Sequence, residues 1–305
     1  MSKWMKRIAV TGLIFIFSGI ILTLAAAAAG GLGAARRGVS YVMEHYIGTE
    51  DMERIGALLD AASDPGWDGI SPYADGTMRI SRDGMTLYER LEGVKNLSVA
   101  VERTALRIET GTEPMDGPAL YVREDPHLDV EVVRGTADPA VQVKLSYQRR
   151  RRGGSGAAVL VVPADWQFEE FSVDGAAGFV QLGDVCADRI SLSVKAGEIR
   201  AETLRAKKIT VRADAGKISA SAAGAESVDA EAKAGAVSLR VSGAEDEFDF
   251  RISNKAGNVR IGSTSYTGVN EDSLRREAAD GRERKEISAD CAAGSVEIDF
   301  SQDFH

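Results

Sequence analysis

The chain has 305 residues, of which 44% are hydrophobic and 27% charged. This composition is typical of a folded protein with one large core or two modest ones. The formal net charge is −9, and residues 1–37 hold five basic residues and no acidic one, so residues 38–305 carry −14. Such an acidic balance argues against nucleic acid as a partner.

The first segment, residues 1–37, is predicted to be a membrane anchor. From Ile8 to Ala35 the chain has no charged residue over 28 positions, which exceeds the roughly 20 residues that a bilayer-spanning helix needs. We predict one transmembrane helix here, with a cleaved signal peptide as the alternative because an Ala run follows. Three basic residues before the run favour an extracytoplasmic C-terminal domain. Because two arginines follow the run, a C-terminal domain that faces the cytoplasm remains an alternative.

Residues 38–93 are predicted to form a linker, because they lack the alternation of apolar and polar residues that indicates a strand. Within them, Glu50–Ala62 has apolar residues on one side of a short amphipathic helix. Glycines and prolines then indicate a loop.

Residues 94–165 are predicted to be the irregular N-terminal part of a β domain that extends to residue 305. Alternation of apolar and polar residues begins at Leu97. The charge feature of this part is a run of four arginines followed by Gly-Gly-Ser-Gly: Arg149, Arg150, Arg151 and Arg152. Such a run could bind phosphate or another anion. A solvated turn between two strands is the simpler interpretation.

From residue 166 the chain contains a repeat centred on Ala-Gly, with glycines at 178, 197, 216, 235, 257 and 294. A period of about 20 residues indicates a stacked fold. Apolar residues occupy positions −7, −5, +2 and +4 from each glycine and alternate with polar ones, so each repeat is two half-buried strands joined by a bend. We predict an all-β fold, a parallel β-solenoid of about six coils of ~19 residues. An antiparallel β-sandwich is the alternative.

Further predictions concern what interrupts or connects the coils. Residues 262–286 are predicted to be a flexible loop between the fifth and sixth coils. Opposite charges on neighbouring coils predict surface pairs of Arg212 with Glu231 and of Asp229 with Arg251. Cys186 and Cys291 lie four to five coils apart in the stack, too far for a disulfide, and Cys291 is predicted to be a buried small apolar residue.

The repeat shows no convergent chemistry. Its outward columns mix both charges, and no phosphate loop, nucleophile elbow or metal-spaced His/Cys cluster occurs. Because parallel β-helices also host enzymes that act on polysaccharides, a glycan-acting enzyme remains an alternative. The prediction is a protein without catalytic residues, cofactor or metal, and without a small-molecule substrate.

The chain also resembles a known family. The phrase VLVVPADWQFEEFSVDGAAGFVQL, the repeated Ala-Gly units and the closing ISADCAAGSVEIDF are similar to the bacterial "putative adhesin" family of β-strand-repeat proteins, a domain of unknown function. The resemblance covers roughly residues 94 to 300. It implies a β-solenoid-like fold and a non-catalytic role at the cell envelope, in adhesion or envelope-stress sensing. It carries over no catalytic residue.

Together these observations predict a single-pass membrane protein that displays a β-solenoid for adhesion, interaction or envelope sensing. The expected partners are the membrane, through Ile8–Ala35, and an envelope protein or polymer. The alternatives are a β-helix enzyme acting on envelope polysaccharide and a cytoplasm-facing regulator.

Overall fold

The fold is described from a computed structural model. The chain divides into two compact units, residues 1–65 and 66–305. The structure describes residues 70–72, 78–112, 115–135, 140–148, 156–267, 269–274 and 284–302, all in the second unit. The predicted anchor at 8–35 and the predicted helix at 50–62 lie outside the described residues. Within the described ranges, no helix is long and apolar enough to cross a bilayer.

The described chain is all-β, as predicted. Apart from a short 3₁₀ turn at Glu245–Glu247, its elements are β1 (Ile70–Pro72), β2 (Met78–Ile80), β3 (Thr86–Arg90), β4 (Asn96–Gly111), β5 (Ala119–Val122), β6 (Leu128–Arg134), β7 (Ala140–Tyr147), β8 (Gly156–Pro163), β9 (Gln167–Val194), β10 (Glu198–Arg205), β11 (Lys208–Ala213), β12 (Lys217–Ala223), β13 (Ser227–Ala232), β14 (Ala236–Ser242), β15 (Phe248–Asn254), β16 (Asn258–Ile261), β17 (Thr264–Thr267), β18 (Asn270–Leu274), β19 (Lys285–Cys291) and β20 (Ser295–Ser301). The first three strands fall within the stretch predicted to be a linker.

Successive repeats pair in parallel and in register. Ile209 of β11 lies between Ile190 of β9 and Val228 of β13, and Ile218 of β12 lies between Ile199 and Val237. Each of these residues is at most 2% exposed. The predicted inward columns are therefore the core, with Ala201 as a half-buried member. Even the bends hydrogen-bond from coil to coil, as in Asp214 N–H to the Val194 carbonyl oxygen at 2.9 Å.

The bend glycines stack backbone on backbone. Gly197 has φ +103°, which disfavours any side chain, and a Cβ there would overlap the Gly178 carbonyl oxygen. A Cβ on Gly216 would lie 2.7 Å from the Gly197 carbonyl oxygen. At the N-terminal end of this column stands Thr104, paired with Gly178. The column requires glycine because each bend leaves no room for a β-carbon on the next.

The coils do not follow chain order. β19 and β20 pair with β13 and β14 on one side and with β15 and β16 on the other. The coil that comes last in the sequence therefore lies between the fourth and the fifth coils. The expectation that 262–286 is a loop between the fifth and sixth coils is corrected in part, since β17 and β18 pair antiparallel with β16 and β15 and cover that end of the stack. Residues 268 and 275–283 lie outside the described part.

At the other end of the stack, the strands also pair out of chain order. β4 lies between β9 on one side and β7 with β8 on the other, all parallel. Antiparallel strands then cover this end, with β6 on β7, β5 on β8 and β3 on β5. Antiparallel strands thus cap both ends of the parallel stack, so that its coils present no bare edge of their own.

A second apolar cluster lies outside the main core. β8 is buried along its whole length. Its alternate residues Val159 and Val161 pack with Phe179 and with Ile80 of β2, while Leu160 faces the main core. A continuous apolar run such as Ala157–Val162 is the sequence signal of a strand covered on both faces. Through Ile80, β2 thus covers part of the outer surface of the stack.

Candidate interaction surfaces

The four-arginine segment, residues 149–152, lies outside the described residues. Its place in the chain is fixed by its neighbours, since β7 ends at Tyr147 and β8 begins at Gly156. These two strands pair with the two halves of β4, where Ser146 lies opposite Glu102 and Gly156 opposite Thr104. The strands on either side of the segment therefore both pair with β4.

The outer face of the first strands of several coils carries charges that pair with charges on the neighbouring coil. Arg212 Nε lies 3.2 Å from Glu231 Oε2, as predicted, and its Nη2 lies 3.8 Å from Asp229. The predicted pair of Asp229 with Arg251 is wrong, because β19 lies between their strands. Arg251 instead contacts Glu286 of β19 at 3.4 Å. Such exposed pairs contribute about 0–1 kcal/mol each.

The outer face of the second strands carries a cluster of charged residues that was not predicted from the sequence. The Arg260 guanidinium binds both carboxylate oxygens of Asp299, at 2.8 and 3.1 Å, and also contacts Glu297 and the Gly262 carbonyl oxygen. Bidentate pairing of this kind has a fixed geometry. The available signal was that Arg260 and Glu297 occupy the same repeat position, +3, in coils expected to be neighbours. Because both of its Nη atoms bind groups of β20 or the residue just after β16, this arginine is a structural tie between β16 and β20.

Two grooves open on the surface. One, of about 390 Å³, lies beside the beginning of β7 and includes Val133, Gln142 and Ser172. The other, of about 410 Å³, lies beside a bend and includes Cys186 and Arg205. Neither brings together a nucleophile, a base and an oxyanion donor, and no group of three His, Cys, Asp or Glu side chains in the described ranges could hold a metal ion.

Several titratable groups have displaced pKa values, and each displacement has a structural cause. Burial raises the pKa of the Cys291 thiol, which is 2% exposed. Burial and the nearby Asp125 carboxylate raise the pKa of Tyr147. A hydrogen bond to Asp214 raises the pKa of the exposed Lys233. These shifts favour the ordinary protonation states at neutral pH, so none of them activates a nucleophile or a base.

The two cysteines are both free within the chain, as predicted. Cys291 lies in register between Ala232 and Asn254, in the inward column predicted for it. Cys186 is half-buried beside the second groove. Their reactivities should differ, because one thiol is accessible and the other is enclosed.

Comparison with known families decides the assignment of the repeat. Residues 155–299 match the family model Toastrack DUF4097. Residues 155–299 carry a Toastrack DUF4097 domain. The resemblance inferred from the Ala-Gly repeat is thereby confirmed, and the function of the domain is unknown. The match to the Toastrack model begins just before β8 and ends within β20, whereas β1 to β7 precede it.

Two solved structures are similar to the chain that contains this Toastrack domain. One is titled a "putative cell adhesion protein" from Clostridium sporogenes, with 10% identity, a TM-score of 0.33, and coverage of 71% of this chain and 100% of that one. The other is titled a "putative adhesin" from Bacteroides fragilis, with 11% identity, a TM-score of 0.34, and coverage of 71% and 97%. No curated protein matches.

Proposed function

We propose that this protein is a non-catalytic, membrane-anchored component of the cell envelope whose Toastrack stack is an adhesion or interaction surface. The observation that carries the proposal is the outer surface of the described coils. It consists of pleated strands whose charges pair along the stack, as Arg212 does with Glu231, beside open grooves without convergent catalytic groups. Extended surfaces of this kind are what stacked repeats use for binding.

The anchoring half of the proposal rests on the uncharged run from Ile8 to Ala35. Its length suits a single span, and the basic residues before it favour a cytoplasmic N-terminus. The stack would then face the outside of the membrane. A cytoplasm-facing regulator is the competing arrangement.

Cysteine labelling in intact cells tests that placement. In a Cys186→Ser background, Lys217→Cys puts one thiol on an exposed position of β12, while Cys291 stays enclosed. A membrane-impermeant maleimide should label this variant in intact cells, and the parent Cys186→Ser chain supplies the background from Cys291. Labelling that requires cell lysis would place the stack inside and would reject the proposal.

Binding is tested by co-sedimentation of the full chain, in detergent, with purified insoluble envelope material. Retention without release of sugar reducing ends supports an interaction role. Release of reducing ends, lost on substitution of an outward carboxylate, would instead establish the glycan-acting enzyme.

The four-arginine segment is proposed as a contact for anionic partners, and a pair of variants tests it. Replacing residues 149–152 by serine removes both charge and guanidinium groups. Replacing them by lysine keeps the charge but removes the planar fork that binds an anion through two hydrogen bonds. Loss of binding in the serine variant alone indicates charge attraction, and loss in both indicates bidentate contacts. Full binding in both would reject this contact.

A further inference from the structure

We propose that residues 248–301, here called the C-terminal module, exchange between two copies of this chain. The module comprises β15 to β20. In the exchanged pair, the module of each copy packs its β19 and β20 against β13 and β14 of the other. The partner surface is therefore one that each chain already builds for itself, which makes exchange a low-cost route to a dimer.

The module is held together by side chains of its own. Arg284 Nε lies 2.7 Å from Asp249 Oδ1, and Arg251 Nη2 lies 3.4 Å from Glu286 Oε1. Arg260 joins β16 to both acidic residues of β20. All of these ion pairs connect β19–β20, or the residue before them, to the β15–β16 coil.

The module also has its own aromatic contacts. The Phe300 ring of β20 lies 5.5 Å from the Phe248 ring and 6.1 Å from the Phe250 ring, measured between centroids. Phe248 is fully buried. The buried amide of Asn254 donates to the Tyr266 carbonyl oxygen at 3.0 Å and so ties β15 to β17. These contacts stay within one module whether or not it is exchanged.

The boundary between the C-terminal module and the rest of the stack, where β19 and β20 pair with β13 and β14, differs from the interior of the module in its side-chain contacts. Among the described residues, no ion pair crosses from β13–β14 to β19–β20. Glu231 and Asp290 are register partners there, and like charges directly opposite one another are unfavourable. Asp299 is the register partner of Arg240, but its carboxylate oxygens lie on Arg260.

What does cross the boundary is backbone pairing and apolar packing, and both are reproduced by any second copy. Ala292 N–H donates to the Ala232 carbonyl oxygen at 2.9 Å, and Ser295 N–H donates to the Gly235 carbonyl oxygen at 3.0 Å. The same bonds form in the exchanged pair with the two residues on different chains. Exchange therefore gives up no contact of this boundary.

The connection to the module suits an exchange. Residues 243–247 lead from β14 to β15, past the coil that β19 and β20 form between them. Within one chain, passing one intervening strand means bridging two strand spacings, about 10 Å. Five extended residues reach about 17 Å, so the connection has spare length with which to lead to a module on an adjacent stack. Moving β19 and β20 alone would break their pairing on both sides, so the module is the smaller disruption.

Paired cysteine variants test the exchange with the full chain. Arg212, Glu231, Asp290 and Ser253 are successive register partners across the stack. In a background of Cys186→Ser and Cys291→Ala, each chain carries one new cysteine, and two differently tagged chains are co-expressed. Neighbouring positions of this kind lie within the Cα range for a disulfide. Non-reducing gels then report which pairs join two chains.

The expected result is a covalent heterodimer from Glu231→Cys with Asp290→Cys and markedly less from Arg212→Cys with Glu231→Cys, which spans no boundary. Ser253→Cys with Asp290→Cys should also give little, since both positions move with one module. One chain with both Glu231→Cys and Asp290→Cys should close an internal disulfide, which checks the geometry. Absence of the first heterodimer, equal amounts from the Arg212 pair, or equal amounts from the Ser253 pair would each overturn the proposal.

Discussion

Replacing Gly197 by alanine should destabilise the stack, because this residue belongs to the column of stacked bend glycines. The new Cβ would overlap the Gly178 carbonyl oxygen, and the residue would hold φ +103°. Forcing an extra carbon into a packed site costs about 1–3 kcal/mol, and a positive φ costs a residue with a side chain about 1–2 kcal/mol. We therefore expect the free energy of unfolding to fall by about 2–5 kcal/mol, from the sum of these two costs.

Gly224→Ala is the matched control. Gly224 also has a positive φ, +70°, but a Cβ there would meet no atom within 4 Å. Only the dihedral cost remains, about 1–2 kcal/mol. Urea unfolding followed by far-UV circular dichroism measures both variants. If the two lose stability equally, the backbone contact between Gly197 and Gly178 is not what requires glycine, and the interpretation of the column is wrong.

Three further changes test the ends of the stack and its acid stability. Asn254→Ala removes the three hydrogen bonds of a buried side-chain amide, two donated to the Gly257 and Tyr266 carbonyl oxygens and one accepted from the Gly257 N–H. At about 1 kcal/mol for each bond, the free energy of unfolding should fall by about 2–4 kcal/mol, and a loss below about 1 kcal/mol would contradict the role of this amide. The hydrogen bond from Lys285 lowers the pKa of Glu247 below its ordinary value of 4.5, so its ion pair stabilises the fold above that pH and is lost as the pH falls further. Because Glu247 is 46% exposed, the difference in the free energy of unfolding between the parent and Glu247→Gln should be below about 1 kcal/mol at pH 7. In urea titrations this difference should shrink as the pH falls below 4.5, and a difference that widens in acid refutes this. Ile80→Ala should speed amide exchange around β2 and along β8 beside Val159, and unchanged exchange would show that the outer cluster is not held by this side chain.

Much of the fold follows from local pattern. The alternation around each Ala-Gly unit places Ile209 and Ile218 in the core, and the repeat predicts that their neighbours in the stack are Val228 and Val237. Thr104 could be recognised as an outlying member of the glycine column because the apolar spacing around it fits the same template. Burial and register are local consequences of the pleat, so a single sequence carries them.

The order of the coils could not be obtained in the same way. Each repeat offers nearly the same edge to a neighbour, so the sequence predicted that Glu231 would be followed by the next coil along the chain. It is followed instead by Asp290. One predicted ion pair is wrong for this reason, since Arg251 pairs with Glu286 and not with Asp229.

The sequence alone determined that this chain stacks strands about a column of glycines, since that pattern needs only the alternation of side chains and the absence of a Cβ at each bend. Only the tertiary structure decided which coil lies beside which. That choice depends on contacts between residues distant in the chain, such as Arg260 with Asp299 and Phe248 with Phe300. Interchangeable backbone edges cannot specify an order, and the side chains that do specify it become neighbours only once the chain has folded.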